Sequence, residues 1–215
     1  MVDPAPAHWP STVSYTSRSI ISRSFPPSQL RYINSRATPT TTLRTLPALP
    51  ICHHPKDTVR IKQIADPKHP ACGQNGLFVV RAVKPRTKVI DYVGIIHSRT
   101  PPPEHNSAGW IDSHEKSDYD LSLVRCMSTP ASPDLKDHVP ILVDIGIDAD
   151  KFGNAARMIN DYRGVACKPN VEFRQVWDNA TGWAKMEVWA LSEGLRKGDE
   201  VLISYGKGFW SARSS

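Results

Sequence analysis

From about residue 58 onward, short runs of apolar and β-branched residues recur between polar breaks. They are 76–80 (GLFVV), 88–96 (KVIDYVGII), 119–124 (YDLSLV), 141–147 (ILVDIGI), 171–176 (VEFRQV), 186–191 (MEVWAL) and 200–204 (EVLIS). Each is too short for a helix of ordinary length and is bounded by Gly, Pro, Asp or Asn, a pattern that predicts strands. Helical periodicity is scarce, and the best window is 153–160 (GNAARMIN), a turn or two. Residues 98–140, with Pro101, Pro102 and Pro103 near the start, read as an inserted loop around the 119–124 strand. The expectation is a mostly β domain over residues 58–215 with few short helices.

The first fifty residues break this pattern. They are rich in Ser, Thr, Pro and Arg, and all 12 glycines of the chain lie beyond residue 72. Such a composition buries little apolar surface, so residues 1–57 are expected to be a disordered tail. Within it, residues 15–25 (YTSRSIISRSF) also fit a short basic amphipathic helix, or the Arg- and Ser-rich character of a mitochondrial presequence. Charge follows the same division. The chain carries 27 Lys and Arg against 21 Asp and Glu, formally +6. Six basic and two acidic side chains fall within residues 1–58, so the remaining residues are close to neutral at +2. Basic residues in the tail are singly spaced rather than clustered, which argues against direct nucleic-acid binding. No run approaches eighteen apolar residues, so no membrane-spanning helix is expected.

The four cysteines, Cys52, Cys72, Cys126 and Cys167, form no Cys-x-x-Cys pair, and reduced thiols are the simplest reading. Cys52, His53 and His54 are adjacent and cannot all address one ion without distortion. Asp144, Asp148 and Asp150 lack the glycine and terminal glutamate of a calcium loop. No metal is expected. Trp177, Trp183 and Trp189 recur every six residues, which alternation along strands explains.

Three blocks stand in order: 72–94 (CGQNGLFVVRAVKPRTKVIDYVG), 147–173 (IDADKFGNAARMINDYRGVACKPNVEF) and 189–210 (WALSEGLRKGDEVLISYGKGFW). Together they resemble the SET-domain protein lysine methyltransferases. The first is similar to that family's Gly-x-Gly-aromatic strand and Tyr-x-Gly, with Gln74 in place of the first glycine of the pair. The second is similar to its Gly-Asn-x-x-Arg-Phe-Ile-Asn-His-Ser-Cys-x-Pro-Asn segment, and the third to its Gly-Glu-Glu-Leu stretch followed by Asp-Tyr-Gly. The resemblance implies several small twisted sheets and a C-terminal strand threaded under a loop. It also implies that Asn160 and Tyr205, 45 positions apart, share a site.

The implied activity is transfer of a methyl group from S-adenosylmethionine to a lysine of a histone or another basic protein tail. Tyr205 and Tyr119 fall at catalytic tyrosine positions. Asn75, Gly76, Leu77, Arg157, Asn160 and Asp161 fall in the cofactor-binding segments, and Ile203 and Tyr205 in the lysine channel. Asp161 and Tyr162 stand where the family usually has His-Ser, Ile95 where Glu is common, and Ser204 where Asp is usual. Ser204 is read as structural, while the departures at Asp161-Tyr162 and Ile95 keep open an inactive, SET-derived interaction module. The Cys-rich flanking zinc modules of some relatives have no counterpart in this sequence. Residues 207–215, the 98–140 insert or a partner would have to close the channel, and Phe209 and Trp210 are read either as a cover for the cofactor or as closing the core. A nuclear or cytosolic location is implied by the family, and the Arg- and Ser-rich start leaves the mitochondrion as the alternative.

Overall fold

A computed structural model describes residues 4–101, 110–128 and 140–206. Thirteen strands occur among them. In chain order they are β1 (Ser14–Tyr15), β2 (Ile20–Ile21), β3 (Val59–Gln63), β4 (Asn75–Val79), β5 (Lys88–Tyr92), β6 (Ile95–Ser98), β7 (Asp120–Ser128), β8 (Ile141–Asp148), β9 (Phe152–Gly153), β10 (Asn160–Asp161), β11 (Val171–Trp177), β12 (Ala184–Ala190) and β13 (Leu202–Ile203). The helix α1 is a single turn at Leu30–Ile33. Small sheets result: β2-β6-β8-β7, β11-β12-β5, and the pairs β1-β9, β3-β4 and β10-β13. The fold is mostly β, as the alternation along the chain predicts.

Each predicted run from 76 onward contains a strand, with two adjustments. The 88–96 run divides at Val93 and Gly94 into β5 and β6, which belong to different sheets. The supposed insert loop contains the nine-residue β7, hydrogen-bonded along β8 from Asp120↔Asp148 to Ser128↔Ile141. Residues 102–109 and 129–139 of that insert, and 207–215 with Phe209 and Trp210, lie outside the described residues. The 153–160 helix reduces to a 3-10 turn at Ala155–Met158, capped by the Asn154 side chain accepting from the Ala156 N–H. Asn160 is consequently in β10 rather than at a helix end.

The disordered tail expected for residues 1–57 is corrected by residues 4–57, which dock onto the domain. No amphipathic helix forms at 15–25. Instead β1 pairs in parallel with β9, and β2 with β6. Leu30 and Ile33 of α1 are 1% and 0% exposed, and Phe25 is buried beside them in the core. The Trp183 indole N–H donates to the Pro47 carbonyl at 2.8 Å, and the Cys52 N–H to the Ser17 carbonyl at 2.6 Å. The polar groups of this segment thus find backbone partners across the domain, while a few isolated apolar side chains fill the core.

Cys52 is buried near a cluster in which Lys185 Nζ lies 3.3 Å from Asp91 Oδ1 and 3.2 Å from Glu187 Oε1, while Lys88 Nζ lies 3.1 Å from Asp91 Oδ2. Burial, reinforced by the charge of Asp91, pushes the Cys52 thiol up to about 12. Only a thiolate alkylates. Iodoacetamide on the native protein is therefore expected to modify the exposed Cys72 and Cys167 first, and Cys52 only after denaturation. Peptide mass spectrometry checks the order, and early Cys52 labelling would contradict this burial.

Candidate active site

The C-terminal strand is held on several sides. Asn160 and Asp161 of β10 pair in parallel with Leu202 and Ile203 of β13. Asn170 closes the loop over this strand, its Nδ2 donating to the Glu200 carbonyl at 2.7 Å and its Oδ1 accepting the Leu202 N–H at 2.8 Å. From the other side, the Val201 N–H donates to the Leu77 carbonyl at 2.7 Å. This threading carries Tyr205 out of β13 beside the residues of β10.

A cavity of about 400 Å³ opens there, walled by Asn75, Tyr119, Arg157, Asn160, Asp161 and Tyr205, with Pro10, His69 and Met158. Six of the sequence-derived site residues meet in one place. Gly76, Leu77 and Ile203 are not among the lining residues. Gly76 makes room for a neighbour: a Cβ there would stand 2.8 Å from Glu200 Oε1 and 2.9 Å from the Phe78 ring. Leu77 and Ile203 are buried, at 0% and 3% exposure.

Tyr205 is fixed at both ends. Its hydroxyl donates to the Ile159 carbonyl at 2.7 Å, and its backbone N–H donates to Asp161 Oδ2 at 2.7 Å. Asp161 is itself oriented by Arg163, whose Nη1 lies 2.9 Å from Oδ2. At the position where the family resemblance expects histidine, an aspartate side chain therefore anchors the tyrosine. Burial raises the Tyr205 phenol well beyond the usual tyrosine range, with Tyr119, Asp161 and Glu200 pushing the same way. It is a neutral hydroxyl at physiological pH, not a phenolate base.

Tyr119 and Arg157 form the facing wall. The Arg157 guanidinium lies 4.0 Å from the centroid of the Tyr119 ring, and its Nε–H donates to the Ala149 carbonyl at 2.9 Å. The Tyr119 carbonyl accepts the Tyr92 hydroxyl at 2.6 Å.

Two residues that motif reading passed over orient Asn160. Its Nδ2 donates to Glu200 Oε1 at 2.8 Å and approaches the Asn75 carbonyl at 3.4 Å. The other Glu200 oxygen faces His69 Nε2 at 3.0 Å. His69 Nδ1 accepts the Ala71 N–H at 2.9 Å, which places the ring proton on Nε2, donating to Glu200. Both amide hydrogens of Asn160 are thereby engaged, and its carbonyl oxygen remains as the group it offers the cavity. Glu200 was visible as the last acidic residue of the Gly198-Asp199-Glu200 stretch. His69 and Pro10 carry no sequence signal, since each reaches the site through a loop. Asn75 is further tied to the N-terminal segment, donating from Nδ2 to the His8 carbonyl at 3.0 Å.

Among solved structures, the fold is similar to ATXR5 in complex with histone H3.1, with a TM-score of 0.51 and 13% identity over 91% of this chain and 82% of that one. It is also similar to the polycomb repressive complex 2 of Chaetomium thermophilum, at 21% identity, a TM-score of 0.45 and 71% of this chain. A further similarity is to ctPRC2 in an autoinhibited conformation bound to S-adenosylmethionine, at 22% identity, a TM-score of 0.45 and 74% of this chain. The match spans only 16% of each of those polycomb chains. Comparison with curated proteins finds no match. The SET domain family model matches residues 74–206, more than half of the chain, including Asn75, Tyr119, Arg157, Asn160, Asp161 and Tyr205. The chain belongs to the SET-domain family, whose members are protein lysine methyltransferases.

Proposed function

We propose that this chain transfers a methyl group from S-adenosylmethionine to a lysine side chain of a histone or another basic protein tail. The observation that carries the reading is the convergence of Asn160 and Tyr205, distant in sequence, on one cavity with Asn75, Tyr119 and Arg157. Its size lies within the ordinary range for small-molecule sites, roughly 300–1,000 Å³.

The donor set fits the cofactor. The Asn160 carbonyl oxygen suits an ammonium group, and Arg157, which also lines the cavity, suits a carboxylate. When bound, S-adenosylmethionine supplies an electrophilic methyl carbon on a sulfonium. The chain's own residues have to align the amine with that carbon, and good alignment is worth roughly 7–11 kcal/mol. The Tyr205 hydroxyl, held by its hydrogen bond to the Ile159 carbonyl, places an oxygen that suits a cationic methyl–sulfonium group. The lysine amine attacks as the free base, and the ring faces of Tyr205 and Tyr119 desolvate it, which lowers a lysine pKa. Because Tyr205 remains protonated, the amine loses its proton before it is aligned rather than to this phenol.

A histone tail is the first substrate to test, supported by the family and by the histone in the ATXR5 complex. A nuclear or cytosolic site of action accompanies that reading. No helix among the described residues is long and apolar enough to cross a membrane. The test pairs calorimetry of S-adenosylmethionine binding with transfer of labelled methyl groups to core histones and whole lysate. Binding with incorporation is expected. Binding without incorporation overturns the catalytic reading, and no binding at millimolar ligand favours an interaction module.

A further inference from the structure

Tyr119 stands one residue before β7, outside the ladder that begins at Asp120↔Asp148. What grips it is the end of β8, where Asp148 and Ala149 are 4% and 0% exposed. The Ala149 N–H donates to the Tyr119 carbonyl at 3.1 Å, beside the Tyr92 hydroxyl. The Ala149 carbonyl in turn accepts from Arg157, whose guanidinium covers the Tyr119 ring. That leaves the Tyr119 N–H, which donates to Ser117 Oγ at 3.1 Å, while Ser117 Oγ donates to Asp148 Oδ1 at 2.6 Å. An ionised carboxylate only accepts, so the single hydroxyl proton of Ser117 goes to Asp148 and a lone pair is left for the Tyr119 amide.

Residues 110–118 form neither strand nor helix, so side chains have to set their path. The Ser117 N–H closes a turn onto the His114 carbonyl at 2.9 Å, which brings both side chains to one carboxylate. His114 Nδ1 donates to Asp148 Oδ2 at 2.6 Å, and the Asp150 N–H donates to Oδ1 at 2.9 Å. Behind the latch, the His114 ring stacks on buried His97 with 3.9 Å between centroids. His97 is itself held by Asp120, 2.9 Å from its Nε2. Hydrogen bonds to an ionised group are among the stronger ones, so Asp148 joins this segment firmly to the sheet.

We propose that Asp148, acting through Ser117 and His114, is a latch that positions Tyr119 for methyl transfer. The inference rests on the transferase reading above and adds to it residues that do not touch the reacting groups, since Ser117, His114 and Asp148 all lie outside the cavity lining. Methyl transfer depends on alignment, and a displacement of a wall residue by about 1 Å can cost on the order of 10²-fold in rate. Releasing the Tyr119 amide frees that wall, while the pairing of β7 with β8 stays intact. The sequence shows Asp148 only as one of three spaced aspartates, because its partners lie 31 and 34 positions away.

The test compares the full chain with Ser117→Ala and Ser117→Thr. Loss of the hydroxyl in Ser117→Ala is expected to speed hydrogen exchange of the Tyr119 amide, read by nuclear magnetic resonance, by roughly fivefold, the weight of one hydrogen bond. It should lower kcat by roughly 10-fold or more, with the Kd for S-adenosylmethionine unchanged. Ser117→Thr keeps a hydroxyl and is expected to restore both exchange and kcat. Unchanged exchange in Ser117→Ala overturns the latch, and faster exchange with wild-type kcat overturns its positioning role. So does a loss that falls on cofactor Kd instead of kcat, or a Ser117→Thr chain that behaves like Ser117→Ala. A folded wild type that transfers no methyl group would instead sink the transferase reading, and the exchange comparison then decides the latch by itself.

Discussion

Tyr205→Phe is expected to lower the rate of methyl transfer on the order of 10²-fold, the usual cost of deleting one preorganised polar group at a reacting centre. Affinity for S-adenosylmethionine should change little. The substitution keeps the ring, the pairing of β10 with β13 and the Tyr205 N–H bond to Asp161, because that bond is made by the backbone. What disappears is the hydroxyl that the Ile159 carbonyl holds in place. One internal hydrogen bond is lost with it, worth about 1 kcal/mol, so folding should survive. Single-turnover transfer beside calorimetric cofactor binding separates the two effects. An unchanged rate would remove Tyr205 from the chemistry, and a parallel loss of cofactor affinity would make it a binding residue.

The dependence of Tyr205 on Asp161 shows where sequence reading stops. Asp161 was legible as a position, since it follows Asn160 in the second block. Its side-chain role was not, because that rests on an amide 44 residues away in the chain. The same limit applies to Glu200 and His69, which orient Asn160 through contacts that only the threaded strand creates. Strands such as β8, β11 and β12 were legible because seven or eight residues suffice to show alternation. Two-residue strands such as β1 and β2 show none, and their pairing is decided by the backbone of β9 and β6. Likewise a four-residue α1 has no periodicity to detect.

The N-terminal segment provides the sharpest case, and removing residues 1–57 is expected to abolish cooperative folding of the remainder. Composition describes this stretch as solvated, yet composition averages over residues, while burial is decided one side chain at a time. Phe25, Leu30 and Ile33 are each 5% exposed or less. Burying such side chains stabilises by roughly 1.5–3 kcal/mol apiece. Together they rival a typical folding stability of about 5–15 kcal/mol. Truncation also strips the acceptor from the Trp183 indole and leaves β6 and β9 without their parallel partners. A milder probe is Ile33→Ala, whose side chain is wholly enclosed. A loss of about 3 kcal/mol is expected, or roughly 6–12 °C in melting temperature for a chain of this size. Circular dichroism melts of the full chain, Ile33→Ala and the 58–215 fragment decide the matter. A fragment that melts cooperatively near the full-length temperature would show the segment to be an accessory covering. A fragment without a transition, with Ile33→Ala intermediate, makes it part of the same folding unit as the site, because β1 pairs beside the turn that carries Arg157 and His8 holds Asn75.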